Sequence, residues 1–375
     1  MAKNRYEMKV EREIAGFVLP FTAGILITAF FSYSLFIKNP IIFCFPPFAL
    51  SATMMCLLCR ARQGWKDQTT LTFIILTAFF CGVLTGVIQS LTAISTEYKI
   101  GLIEKHSLSF GEAIADAIKE IPFEKSETNA IICALLTGNR SDLPPDLIKA
   151  FRASGASHIL ALSGLHLGVI YGFLSKALAL IGNTLRAKRI RAICAISICC
   201  LYTLSTGSGE SITRALLFIL IGETARFFGR KVSIKNIFFT ALLIQLIISP
   251  QSYKSAGFQL SYAAIAGIAF IYPWLKGLWA HESSLNPLAW VWKSASMSIS
   301  CQISTGPFAW IWFKTLPKYF LLTNLIAVPL AGLIIPSSLI TLILHSLGIC
   351  PKIITRATEC LVTTLTDALV IISEM

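Results

Sequence analysis

Residues 151–173 read FRASGASHILALSGLHLGVIYGF, and the chain is organised around them. The stretch opens on a charged, loop-like lead-in and turns apolar at Ile159. A helix advances about 100° per residue, so positions can be assigned to faces. A helix drawn through this run sets Ser157, Ala161, Gly164, Gly168, Gly172 and Ser175 on one side. That is a ridge of small residues, and Gly164, Gly168 and Gly172 are its expected helix-packing positions. In lipid, small residues let a second backbone come close, because packing rather than the hydrophobic effect holds helices together there. Ser163 and His166 project from the opposite side. An ionisable group inside an apolar span is costly, so it faces the protein interior or a watered path. Two readings of the pair stay open: an interhelical hydrogen-bond partner, or a functional face.

The composition sets the fold class. The chain has 375 residues, of which 14% are charged, and a mean hydropathy of +0.71. A soluble domain carries about 25% charged residues. Apolar runs of about 20 residues recur, which is the length that crosses a bilayer. The expectation is an all-α polytopic integral membrane protein with about ten or eleven transmembrane helices, some of them broken or re-entrant. The net charge of +13 gathers in short connecting segments: Arg60, Arg62 and Lys66; Arg186, Lys188, Arg189 and Arg191; Arg226, Arg230, Lys231 and Lys235. Basic loops stay in the cytoplasm. That places the N-terminus, Arg186–Arg191 and Arg226–Lys235 inside and residues 96–157 outside. Attraction of phosphate groups is a possible second use of the charge. The 11 cysteines lie mostly in apolar runs, where they act as small hydrophobes. Cys56 and Cys59 form a lone CxxC at a helix end, which is weak ground for metal or redox chemistry. The first apolar run follows a mixed-charge lead and is long enough to span, so it reads as a retained anchor.

Residues 1–95 form the N-terminal transmembrane part, with spans over 14–37, 41–59 and 71–94. In the extracytoplasmic segment 96–157, Ser109 and Glu112 have capping-box spacing, and Ile114, Ile118 and Ile121 make one apolar stripe. This predicts an amphipathic helix on the outer membrane surface. Short helices over 127–137 and from Pro145 to about residue 152 follow. Residues 158–375 form the remaining transmembrane core. Within it, Glu210 stands four before Arg214, the favourable order for a helical ion pair, and Arg214 is near enough to the end to snorkel. Gln259 and Ser261 are the polar members of AGFQLSYAAIAGIAFIYP; Ala263, Ala266, Gly267 and Phe270 lie on a close-packing face. Ser294, Ser298, Gln302 and Thr305 form one polar stripe on a further helix. Residues 320–347 are one span or two short ones, with Pro329 and Pro336 as candidate breaks.

Several of these blocks resemble the ComEC-like competence family. Its signature is close to G-x-x-H-L-L-A-I-S-G-L-H-V-G. Here the matching residues are Gly155, His158, Ile159, Leu160, Ala161, Leu162, Ser163, Gly164, Leu165, His166, Leu167 and Gly168. ALLTGNRSDLPPDLIKAF resembles the approach to that signature. Ser211, Arg214 and Ala215 resemble a later block, GFQLSY another, and Asn324, Ala327 and Pro329 an N-x-x-A-x-P block. The likeness runs from about residue 129 to the end. It implies that this core, residues 158–375, is an inner-membrane channel for uptake of single-stranded DNA during natural transformation. It also implies channel-lining or gating roles for Ser163, His166, Arg214, Gln259, Ser261, Gln302 and Asn324. Implied partners are single-stranded DNA, the lipid bilayer, a separate DNA receptor, nuclease and cytoplasmic helicase, and further copies of the chain. Glu210 departs from the pattern.

Many members of that family add an outward OB-like domain and a metallo-β-lactamase-like nuclease domain. Both are expected to be absent here. The five histidines form no H-x-H-x-D-H cluster, so neither a metal, a cofactor nor an enzyme activity is expected. Two rival functions remain. One is a small-molecule or lipid transporter on the same fold. The other is an intramembrane enzyme using Ser163 and His166, which would still need a facing base and an oxyanion hole. Trp290, Trp292, Trp310, Trp312 and Tyr319 suit an interfacial aromatic belt or base stacking.

Overall fold

A computed structural model of the chain describes residues 2–30, 49–50, 53, 68–92, 111–182, 184–230, 233–279 and 287–375. All regular structure among them is helical. Most of the expected span over 41–59, the CxxC and the capping residue Ser109 lie outside the described residues. The chain divides into two compact units, residues 1–99 with 231–262, and residues 100–230 with 263–375.

In the first unit, α1 (Ala2–Phe30) packs along α2 (Gln68–Thr92). Val18, Phe21 and Ile25 form the buried stripe of α1. Gly24 and Gly82 set the approach: a methyl on Gly24 would run into the Phe79 carbonyl, and one on Gly82 into that of Phe21. This is the small-residue crossing that lipid-embedded helices favour. α10 (Ile234–Ile248) also packs on α1. It is tied to α11 (Ala256–Ala266) by Tyr262, whose hydroxyl donates to Gln245 Oε1 at 2.9 Å.

The second unit has one large apolar core. α3 (residues 111–119) contributes Ala115 and Ile118, with Ile114 packed alongside. α4 (Ser126–Thr137) is buried from Ala130 to Leu136. α5 (Pro145–Ala153), α14 (Phe320–Ser346) and α15 (Lys352–Glu374) complete this core. The apolar stripe of α3 is therefore covered by protein. A stripe shows that one face is covered, but not by what. α15 buries Thr355, Thr358, Glu359, Val362, Leu365, Leu369 and Ile372, a single helical face. The carboxylate of Glu359 reaches the start of α4 and accepts from the Lys125 amide at 2.7 Å and the Glu124 amide at 3.3 Å. Two backbone donors on the lead-in to that helix are thus met by a residue more than 230 positions away.

α14 settles a question the sequence left open. It is one continuous helix, and both Pro329 and Pro336 lie inside it. The expected breaks at these prolines are absent. α13 (Pro287–Phe313) is likewise continuous. Its residues Ser296 and Ser300 are buried, whereas Ser294, Ser298, Gln302 and Thr305 are half-buried. α13 meets a π-helical turn, Gly267–Ile271, that joins α11 to α12 (Tyr272–Gly277). A side chain on Gly267 would collide with the Ser300 carbonyl. Of the expected packing face, Gly267 makes the contact and Phe270 is exposed.

Two helical stretches among the described residues are long and apolar enough to cross a membrane, Ala256–Gly277 and Phe320–Ser346. Shorter apolar helices cover Ile14–Thr28, Ile74–Gly86 and Ile234–Ile248. The ten or eleven read from hydropathy cover the whole sequence, including residues outside the described ones. Among the described helices, the expected crossing at the signature is split, and those next to it carry charges within their length.

Candidate functional site

The signature stretch is two helices with a break between them. α6 is a single turn, Ser157–Leu160, and α7 runs Gly164–Ala177. Ala161 (φ −81°, ψ 129°) and Ser163 (φ −127°, ψ 169°) are extended. The uninterrupted helix drawn from Ser157 is corrected by this geometry. The break is held from outside. Arg140 donates its Nε to the Leu160 carbonyl at 3.1 Å, an acceptor that a continuous helix would have used itself. Gly138 has φ +78°, a left-handed turn ending α4, and a Cβ there would sit 2.6 Å from Leu162 Cδ1.

Ser163 is the N-cap of α7, and His166 is the third residue in. The His166 Nδ1 accepts from the Ser163 amide at 3.3 Å and lies 3.0 Å from Ser163 Oγ. This is a capping box in which histidine takes the place of the usual Glu or Gln. His166 is fully buried. Its Nε2 is enclosed and makes no hydrogen bond of good geometry among the described residues, although the Ile159 backbone is near enough to act on the ring. The pair is brought together as the sequence predicts, but at a helix start rather than on a helix face. The nitrogen facing the serine is engaged by a backbone amide, and among the described residues no carboxylate orients the other.

The glycine ridge is also corrected. Gly164 is a close contact, since a Cβ there would lie 3.2 Å from Ala215 Cβ on α9 (Glu210–Phe227). A Cβ on Gly168 or Gly172 would meet nothing within 4 Å among the described residues, and Gly168 is exposed. Among the described residues, the close contact of the run is made by its first glycine. α7 is also packed by Cys199 of α8 (Leu185–Ser205) and by Ile212 of α9, which cluster with its own Leu167.

The Gly164–Ala215 contact brings α9 beside the break one residue from Arg214. That side chain is 2% exposed, and its Nη1 is 3.4 Å from Glu210 Oε2, whose side chain is 62% exposed. The ion pair is as expected; the snorkelling is not, because the guanidinium is enclosed by protein. Asn324 is half-buried on α14, next to Thr323, whose hydroxyl donates to the Ser154 carbonyl at 2.7 Å. The Asn324 Oδ1 is enclosed without a partner among the described residues. Gln302 is half-buried on α13. Gln259, whose Nε2 donates to the Tyr253 carbonyl at 2.9 Å, and Ser261 belong to the first unit.

One polar group escaped the sequence reading. Glu223 on α9 is buried and accepts from the Tyr171 hydroxyl of α7 and from Arg226 Nη1. Arg226 Nη1 also reaches the Tyr171 oxygen, at 3.2 Å. An acid in an apolar run, three residues before an arginine, was the available signal. Among the described residues, no three His, Cys, Asp or Glu side chains converge as a metal site would require.

An all-helical chain with apolar helices of spanning length and polar side chains enclosed at a broken helix defines the class. The family follows from comparison: the Competence family, described as competence protein, matches residues 135–375, and this chain belongs to it. The chain is 26% identical over 167 residues to ComE operon protein 3 of Bacillus subtilis, covering 44% of this chain and 20% of that protein. It is 26% identical over 227 residues to the uncharacterized protein YcaI of Escherichia coli, covering 59% and 30%. Competence protein ComA of Neisseria gonorrhoeae is 29% identical over 150 residues, covering 38% and 21%. The chain thus spans less than a third of the length of each of these relatives. No solved structure matches it significantly.

Proposed function

We propose that this chain is the membrane-embedded core of a DNA-uptake channel, carrying single-stranded DNA across the bacterial inner membrane during natural transformation. The observation that carries the reading is the family match. It begins in α4 and takes in the whole broken signature and every later helix. Two of the relatives are competence proteins by name. The apolar helices, long and short, support a multi-pass placement, and the basic segments support a cytoplasmic N-terminus. Ser163 and His166 then shape the entrance to α7, while Arg214, Gln302 and Asn324 supply polar groups in a mostly apolar unit. Gln259 and Ser261 do the same in the other unit. A receptor outside, a nuclease and a helicase inside act with the channel. Deletion of the gene should lower transformation by a selectable chromosomal marker by several orders of magnitude, with recovery on complementation. Unchanged transformation in the deletion would remove the proposal.

A further inference from the structure

The far end of α9 carries a set of groups that the uptake reading does not yet use. The helix closes on Phe228, and Gly229 turns left-handed at φ +67°. The Gly229 amide donates to the Arg226 carbonyl and the Arg230 amide to that of Ala225, each at 2.9 Å. This C-terminal closure fixes what the last turn presents. It presents two aromatic rings. Phe227 is 48% and Phe228 71% exposed, with ring centroids 5.6 Å apart and edge to face. The Arg189 guanidinium of α8 lies 5.0 Å from the Phe227 ring centroid.

Arg226 stands beside them under unusual restraint. Its side chain is 69% exposed, yet one guanidinium nitrogen is gripped by Glu223, which is 9% exposed, and by Tyr171. Burying a carboxylate is costly unless it is paired. Here the pair leaves the carboxylate inside and the remaining guanidinium N–H groups outside. The effect is a pre-oriented arginine on a rigid helix end, flanked by exposed rings and a second arginine.

We propose that Arg189, Arg226, Phe227 and Phe228 form a binding station for single-stranded nucleic acid, with Glu223 and Tyr171 as positioning residues. Guanidinium groups take backbone phosphates, and exposed rings stack successive bases without regard to sequence. Anionic lipid headgroups share the phosphate chemistry but have no use for the rings. Interfacial belts, moreover, favour Trp and Tyr over Phe. The biological sense of the station rests on the uptake reading. The basic segments place it on the cytoplasmic side, where an imported strand would emerge.

The test uses the full chain, purified and held in phosphatidylcholine nanodiscs, with a fluorescein-labelled 20-nucleotide oligothymidine as probe. Fluorescence anisotropy should show Phe228→Ala binding at least about fivefold more weakly. Arg226→Gln should weaken binding and lower the salt dependence by roughly one counterion. Glu223→Gln gives the sharpest sign. Removing a negative charge should by Coulomb attraction alone tighten binding of a polyanion, whereas loss of positioning weakens it several-fold. Phe228 is exposed, so Phe228→Ala should not fail for want of folding. Equal affinity of wild type, Phe228→Ala and Arg226→Gln would overturn the station. So would an Arg226→Gln effect seen only as altered stability in nanodiscs containing phosphatidylglycerol, which would assign the arginine to lipid. Binding lost in these variants, with normal transformation in the deletion strain, would keep the station and reject the uptake reading. Lost transformation with unaltered binding would do the reverse.

Discussion

At His166 a single ring nitrogen, Nδ1, holds the start of α7. Sequence reasoning placed this residue on the wall of a path, but its complete burial makes stability the first thing a substitution disturbs. Gln can serve at the third position of a capping box, whereas Ala cannot. His166→Ala should cost about 1–2 kcal/mol for the cap, with a further penalty for the void. His166→Gln should retain most of that. Thermal unfolding of the purified variants would show it, and equal melting temperatures would deny the cap any weight. A second residue-level test concerns pH. Lys119 lies 3.2 Å from Asp142, and the two side chains are about half exposed. Lys119 and the Ser141 hydroxyl hold the Asp142 carboxyl below its usual range, and the same link raises the Lys119 ammonium. A depressed carboxyl contributes above its ordinary range and loses that contribution as the pH falls through the lowered value. On the alkaline side the link persists until the pH passes the raised ammonium value. Hydrogen exchange over residues 119–143 should therefore loosen on acidification, and Lys119→Met should weaken that dependence. Identical acid profiles for the two proteins would contradict it. Exposure keeps the effect small.

Among the elements, α7 offers the clearest contrast. Gly164→Leu must push Ala215 away and should destabilise by about 1–3 kcal/mol or more. Gly168→Ala meets open space on a helix, so it should be neutral or stabilise by up to about 1 kcal/mol. Chemical or thermal unfolding of the two proteins decides this, and the reverse order would mean that the ridge packs elsewhere. These elements also show what the sequence could and could not disclose. The stripe of Ile114, Ile118 and Ile121 was legible because periodicity reports a covered face. Its cover is the apolar core of the second unit, which draws on residues from α4 to α15. The ion pair of Glu210 with Arg214 was legible because it is local. The break before α7 was not, although Ser163-x-x-His166 has the spacing of a capping box. Periodicity alone carries a helix straight through an N-cap, and histidine is an unusual closing residue. The two prolines of α14 misled in the opposite sense. They sit inside one helix that continues through both of them. The tie between Glu359 and α4 pairs residues too distant for any local pattern.

For the whole molecule, the account is of a helical chain in two units whose second unit includes nearly all of the family-matched region. Its topology follows from the basic segments and can be checked by labelling single cysteines in a background stripped of native ones. Arg189→Cys should resist an impermeant reagent added from outside, and a cysteine at Glu127 should react. The opposite pattern would invert the chain and move the proposed binding station to the outer face. The central claim is passage of a strand, and the most direct measurement follows the strand itself. Competent wild-type and deletion cells would be given fluorescently labelled DNA, treated with external nuclease, and fractionated into periplasm or wall and cytoplasm. The account predicts labelled single strands in the wild-type cytoplasm, and label halted outside the inner membrane in the deletion. Equal cytoplasmic label in the two strains would contradict it.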